Sequence, residues 1–220
     1  MGDRAAKNLL FDQFARVGKA LSSGKRLELL DLLAQGERTV DALARASELG
    51  LSTASAHLQT LKAANLVSTR REGTKVIYRL AGTDVAQLLA LVRVVANAHL
   101  PDVEAAARAY LGPGTEQVTR GELLDRIKAG QVTVIDVRPR EEYEAGHIPA
   151  AVSVPLDELA DHLAELPEDH DIVAYCRGTY CVLAHEAVRM LTERGRTAMR
   201  LTDGMLEWRL ADLPVATLSR

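Results

Sequence analysis

Two cysteines are the only thiols in the 220-residue chain, and they stand five positions apart in Tyr175-Cys176-Arg177-Gly178-Thr179-Tyr180-Cys181-Val182. A β-branched run ends just before them and a helical pattern starts just after. Cys176 therefore falls where an α/β sheet presents its ligands, beyond the carboxyl end of a strand. Gly178 suits a curled loop whose N–H groups converge on an anion. That positive potential, the following helix N-terminus and Arg177 each favour thiolate over thiol, and thiolate is the nucleophile. The residue types point to a cysteine that attacks and then carries a group, with Cys181 as a second thiol able to resolve it by exchange. Zinc is a poor fit, because C-x4-C is wider than the usual spacing and no second ligand pair lies elsewhere. No metal or other cofactor is expected.

A second constellation lies in the first half, over Asp41 to Leu61. Two short helical patterns flank Gly50, with small residues at Ala42, Ala44, Ala46 and Ala54 where helices would cross closely. In the second helix Ala54, Leu58 and Leu61 share the inward face. Ser52, Ser55 and Gln59 fall on the other face with Lys62, and Thr53 stands near the helix start. Short hydroxyl and amide side chains there reach base edges in a major groove, and a helix N-terminus favours phosphate. Downstream, Val67–Arg71 and Lys75–Leu80 alternate as two strands about a Gly73 turn. Arg70, Arg71 and Lys75 gather near its tip, suited to touching a phosphate backbone.

The elements that must hold these residues differ between the halves. Residues 1–110 are dominated by helical periodicity, as in Leu9, Leu10, Phe14, Val17 and Leu21, with further helices expected after Ser22-Ser23-Gly24, from Thr39, from Ser52 or Thr53, over Asp84–Leu100 and from Pro101-Asp102 to Tyr110. Leu111-Gly112-Pro113-Gly114-Thr115 reads as a linker. Beyond it strands expected at Val132–Val137 and Ile172–Tyr175 alternate with helices at Thr119–Ala129, Leu156–Glu165 and Val182–Arg194, an α/β pattern with a parallel sheet. Two domains follow: a mainly α winged helix-turn-helix with a β-hairpin wing over 1–111, a linker over 112–116, and an α/β parallel-sheet domain over 117–220. Charge divides likewise. Residues 1–110 hold 15 Lys+Arg against 11 Asp+Glu, a net of +4, while residues 111–220 hold 12 against 19, a net of −7. Such a split suits two modules with different partners, the basic one meeting nucleic acid.

Composition narrows the class further. An apolar content of 47% with 26% charged residues is globular, which excludes intrinsic disorder. Two cysteines cannot staple a small secreted scaffold. The most apolar stretch, Val85–Leu100, is broken by Arg93 and Asn97. The expectation is a soluble, cytoplasmic protein with no membrane partner.

From about Leu9 to Tyr110 the chain resembles the ArsR/SmtB type of winged-helix repressor, most closely over Gly50–Val67 and the wing Arg71–Leu80. The resemblance implies double-stranded operator DNA and a homodimer paired through terminal helices. Val85, Leu88, Leu89, Val92, Val95 and Ala96 form a stripe that suits such an interface or ordinary core. Many members sense metals through cysteines near the helix-turn-helix, but the first 110 residues contain none, and His99 and Asp102 lack an upstream partner set.

From about Val118 to Val215 the chain resembles a rhodanese domain. The match is carried by Asp136-Val137-Arg138-Pro139 running to Gly146-His147-Ile148-Pro149, by the cysteine loop, and by Gly204-Met205-Leu206-Glu207-Trp208. That resemblance implies a sulfane-sulfur donor (thiosulfate, polysulfide or persulfide) and a persulfide on Cys176. Asp136 and Arg138 would mainly brace the loop, and His147 would shape the entrance or the fold. Many single-domain members end the loop in a basic residue, where Cys181 stands here. The combined expectation is a sulfur-responsive DNA-binding regulator modified at Cys176 and Cys181. The alternative is an active sulfurtransferase with an accessory DNA-binding domain, and a metalloid sensor using both cysteines is a third reading.

Overall fold

The computed structural model describes residues 3–218. The chain divides into two compact units between Leu91 and Val92, and the segment 112–116 lies within the second.

In the first unit α1 (Arg4–Leu21), α2 (Gly24–Gln35), α3 (Val40–Ala46) and α4 (Leu51–Ala63) precede a β-hairpin of β2 (Val67–Glu72) and β3 (Lys75–Leu80). A short β1 (Arg38–Thr39) pairs antiparallel with β3, giving the order β1-β3-β2. Thr39 caps α3 through its side chain, which accepts from the Ala42 N–H at 3.3 Å. The hairpin turns through Gly73 at φ 58°, a conformation that glycine adopts without steric cost. Leu29, Leu30, Leu43, Ala54, Leu58, Leu61, Tyr78 and Leu89 fill the core. One local expectation is corrected: α4 begins at Leu51 with Gly50 in the capping position, so Ser52 and Thr53 occupy its first turn.

The long helix α5 (Thr83–His99) runs across the division between the units. Val85 and Leu89, two residues of the stripe read from the sequence, are buried in the core, whereas Leu91, Val94 and Val95 are its exposed large apolar residues.

In the second unit α6 (Asp102–Leu111) leads to a five-stranded sheet. The strands are β4 (Gln117–Val118), β5 (Val132–Asp136), β6 (Val152–Ser153), β7 (Asp171–Tyr175) and β8 (Ala198–Leu201), ordered β4-β8-β7-β5-β6 and all parallel. Side chains alternate between two buried faces. Ile135, Ile172, Ala174 and Cys176 pack against Ala184, Ala187, Val188 and Leu191 of α10 (Val182–Glu193). Val134, Val173, Tyr175 and Met199 pack against Leu123 of α7 (Arg120–Lys128) and against Met205 and Trp208 of α11 (Met205–Leu210). Double burial explains why the central strands are rich in Val, Ile and Ala, with Thr133 the one polar residue inside them. Thr119 and Glu122 close a capping box on α7, as the Thr-x-x-Glu spacing favours.

The helix expected over Leu156–Glu165 is shorter than its pattern. Only α9 (Leu159–His162) and one following 3-10 turn form, because residues 156–158 make a turn in which the Glu158 N–H bonds the Pro155 carbonyl at 2.9 Å. Between β5 and β6, α8 (Arg140–Ala145) starts directly after Pro139. Among the described residues no helix is long and apolar enough to cross a membrane.

Candidate nucleic-acid interface and cysteine site

In the first unit, α4 keeps Ala54, Leu58 and Leu61 fully buried, which turns Ser52, Thr53 and Gln59 outward and leaves Ser55 half-buried. Gln59 donates to the Tyr78 hydroxyl at 3.1 Å, so the wing strand fixes the outer face of the helix. Burial beside α4 also raises the Tyr78 pKa, keeping its phenol protonated. On the wing Arg71 and Lys75 are exposed. Arg70 is held otherwise. Its guanidinium spans Glu37, with Nη2 at 2.8 Å, and Glu72, with Nη1 at 2.6 Å. These carboxylates raise the Arg70 pKa and neutralise its charge locally. Contact with phosphate therefore requires Arg70 to exchange carboxylates for an anion, a competition its residue type did not disclose.

In the second unit, the cysteine loop joins the end of β7 to the start of α10, and Cys181 is the residue before the first helical turn. Cys176 is 2% exposed, Cys181 half-buried. Their Cα atoms are 6.1 Å apart, within the span of a disulfide, and their sulfurs stand in bonding contact. The separation that spacing alone left open is thus short enough for the two thiols to react with each other.

The loop's first half is anchored. The Cys176 and Arg177 carbonyls accept from the Met205 and Leu206 N–H groups at 2.9 and 3.0 Å, so the first turn of α11 grips the strand end. Gly178 serves by its small size rather than by an unusual φ. A Cβ there would sit 3.2 Å from both carboxylate oxygens of Glu207 and 3.3 Å from Arg93 Nη1. Arg177 does not project freely over the loop. Its Nε lies 3.0 Å from both oxygens of Glu142, and its Nη2 lies 2.7 Å from one of them.

Asp136 and Arg138 lie fully buried at the end of β5. Asp136 Oδ1 accepts from Arg138 Nε at 2.9 Å, and Oδ2 accepts from the Tyr175 hydroxyl at 2.6 Å. Arg138 also donates to the Gly146 carbonyl at 2.8 Å, while the Tyr175 oxygen accepts from the Ile148 N–H at 3.1 Å. Burial works against the Arg138 charge, but Asp136 outweighs it and raises the pKa. Burial, reinforced by Asp136, holds Tyr175 well above its ordinary pKa, so it remains a donor. This network ties the residue before Cys176 to the segment after α8.

His147 stacks on Tyr143 with centroids 3.7 Å apart, and its Nδ1 lies 2.9 Å from the Tyr143 carbonyl. Its backbone pairs with Ala216, which gives it a place in the fold. Among the described residues no group of three or more His, Cys, Asp or Glu side chains is placed to hold a metal. A recess of about 600 Å³ between Gly114–Glu116 and the end of α10 contains neither cysteine.

Comparison with known proteins matches both halves of the chain. The model of the bacterial regulatory proteins of the arsR family matches residues 23–69, and that of the rhodanese-like domain matches 119–211. Over 214 residues the chain is 61% identical to the HTH-type transcriptional regulator Rv0324 of Mycobacterium tuberculosis, covering 97% of this chain and 95% of that protein. The chain belongs to the arsR family. As in the sequence reading, the winged helix of this arsR-family protein is joined to a C-terminal rhodanese-like domain. A sulfurtransferase of Allochromatium vinosum is 29% identical over 85 residues, 38% of this chain and 78% of that one. The homodimeric winged helix-turn-helix DNA-binding domain Mb0332 of Mycobacterium bovis is 60% identical with a TM-score of 0.43, over 46% of this chain and 93% of that domain.

The residues that sequence reasoning missed are Glu142, Glu207, Arg93 and Asn97. Glu142 stood inside a quoted motif without a role. Glu207 likewise stood inside a motif without a role, and Arg93 and Asn97 entered only as breaks in an apolar stretch.

Proposed function

We propose that this arsR-family protein is a sulfur-responsive DNA-binding regulator, in which operator affinity follows the chemical state of Cys176 and Cys181. The observation that carries the reading is the pairing of the two cysteines in the loop between β7 and α10, on a chain that also bears a helix-turn-helix and wing.

The chemistry balances without a cofactor. The Cys176 thiolate attacks the sulfane sulfur of a donor R–S–SH. A bond forms between Cys176 Sγ and that sulfur, the donor's S–S bond breaks, and R–SH leaves with the proton. The Cys181 thiol then attacks Cys176 Sγ, and hydrogen sulfide leaves with the Cys181 proton. Two thiols are oxidised to a disulfide, and the transferred sulfur is reduced to sulfide. Polysulfide follows the same course, and thiosulfate releases sulfite in the first step. On the DNA side, α4 supplies Ser52, Thr53, Ser55 and Gln59 to base edges. Arg71 and Lys75 contact phosphates, with Arg70 joining them once it leaves Glu37 and Glu72. Two copies of the chain bind a two-fold operator.

A duplex selected from a random-sequence library on the reduced, full-length protein provides the probe. Its affinity is measured before and after polysulfide treatment. We expect a change of about fivefold or more in the wild-type protein, the lower end of typical coupling between sites. Cys176→Ser abolishes both sulfur uptake and the change. Cys181→Ser still gains sulfur by mass but loses the response. Unchanged affinity in all three proteins would overturn the proposal. Multiple turnovers of donor that persist in Cys181→Ser would favour the sulfurtransferase reading.

A further inference from the structure

We propose that Arg93 and Asn97 of α5 are positioning residues against the cysteine loop, and that Tyr180 is the residue through which the state of the cysteine pair reaches that helix. This rests on the sulfur-responsive reading and names its route. Neither family match reaches the two residues, since one ends at 69 and the other begins at 119.

The loop has a fixed half and a movable half. Cys176, Arg177 and Gly178 are fixed, because their carbonyls or Cα atoms are gripped from α11. The Met205 and Leu206 N–H groups hold the Cys176 and Arg177 carbonyls. Gly204 approaches so closely that a Cβ on it would lie 2.2 Å from the Gly178 nitrogen, leaving no room for displacement on that side. Thr179 and Tyr180 have weaker ties, while Cys181 packs a half-buried side chain against the core at the start of α10. The Cys181 N–H bonds within the loop, to the Gly178 carbonyl at 3.1 Å. The Tyr180 hydroxyl donates to Asn97 Oδ1 at 3.1 Å, 83 residues away in sequence.

Opening the disulfide, or inserting a sulfur that adds about 2 Å to the Sγ–Sγ path, must be taken up somewhere. With the Cys176 end held, the change falls on Thr179–Cys181, and Tyr180 carries it to Asn97. Arg93 marks the same contact from the fixed side. Its Nη1 and the Glu207 carboxylate close around the Cα of Gly178. Burial raises the Glu207 pKa, and the Glu207 and Gly204 N–H groups and then the Arg93 charge act against that rise. One helix thus meets both halves of the loop at positions four residues apart, one turn along a single face.

That helix is not confined to the second unit. α5 is continuous from Thr83 to His99, and Val85, Ala86 and Leu89 at its other end are buried. A shift in the Asn97 contact therefore acts on an element with a stake in the DNA-binding unit. By linkage, if the cysteine state alters operator affinity through this contact, operator DNA alters the cysteine equilibrium by the same factor.

Hydrogen exchange of the full-length protein tests this without DNA or a sulfur donor. The cysteine state is set with dithiothreitol or with the thiol oxidant diamide, and amides over residues 92–99 are followed. We expect exchange there about fivefold faster in the dithiol form of the wild type. Tyr180→Phe and Asn97→Ala, both at accessible positions, bring the two forms within about twofold of each other. Each still forms the bridge, read as a mass loss of two hydrogens. Wild-type exchange at 92–99 that ignores the cysteine state overturns the inference, and so does a full wild-type difference in both variants. A parallel polysulfide arm keeps the two claims apart. A protein that bridges with diamide but not with polysulfide loses the sulfur reading, while the exchange result still decides the role of α5.

Discussion

A single buried carboxylate determines whether the loop has a floor. Asp136 accepts from Tyr175, the last residue before Cys176, and from Arg138, whose guanidinium has no exposure. Asp136→Asn removes the charge that compensates Arg138, and breaking such a buried pair costs about 3–5 kcal/mol. Tyr175→Phe leaves the pair intact. It removes one donor to Asp136 and the acceptor of the Ile148 N–H, a loss of about 1–3 kcal/mol. Urea denaturation should rank the two variants in that order. Bridging of Cys176 and Cys181 by diamide, normalised to the folded fraction, should stay at the wild-type rate in Tyr175→Phe. A stable Asp136→Asn protein with slow bridging would instead give the carboxylate a direct part in the chemistry. Of these residues, Asp136, Arg138 and both cysteines were legible, because motif and spacing single them out. Glu142 was not: nothing local to the Glu141-Glu142 pair says which one turns inward to meet Arg177.

At the level of elements, legibility followed the strength of the period. The double-faced burial of β5 and β7 makes runs dominated by β-branched and apolar residues, and the Thr119–Glu122 box announces α7. β8 escaped notice although all four of its residues are buried, because Arg200 interrupts the run. Its Nη1 is satisfied by the Leu201 and Thr202 carbonyls at the strand end, an arrangement the sequence does not advertise. α8 and α11, at six residues each, are too short to display a helical repeat. α10 carries a further consequence of burial. His185, on its inward face, is pushed down to about 4, first by burial and then by the charges of Arg200 and Arg189. An unfolded histidine titrates near 6.5, so between about pH 6.5 and 4 the unfolded chain binds the proton and the folded one does not. Stability from this group is present above pH 6.5 and falls as the pH drops towards 4. Urea midpoints measured across that range should decline with acid in the wild type and flatten in His185→Leu. Equal slopes would show that other groups govern the acid limb.

For the whole molecule, the proposed reading of a two-fold operator calls for two copies of the chain, and the exposed apolar faces bear on where they would meet. In the single chain α1 exposes Leu9 at 65%, Leu10 at 53%, Phe11 at 57% and Phe14 at 60%, while α5 exposes Leu91, Val94 and Val95. Covering one large apolar side chain contributes about 1.5–3 kcal/mol, so these two faces together favour association strongly. In the function proposed here a second copy is the occupant of these faces, since each chain carries one α4 and two-fold half-sites need two. Phe11→Ser combined with Phe14→Ser leaves the core untouched, because both side chains are exposed. Sedimentation should then show a dimer for the wild type and a monomer for the double variant, with unchanged helical content. Binding to the selected duplex should weaken by at least about tenfold. The slope of log affinity against log salt should fall towards half, because one chain neutralises half as many phosphates. A double variant that still sediments as a dimer would place the interface elsewhere, and a salt slope unchanged in the monomer would mean that one chain makes all the phosphate contacts.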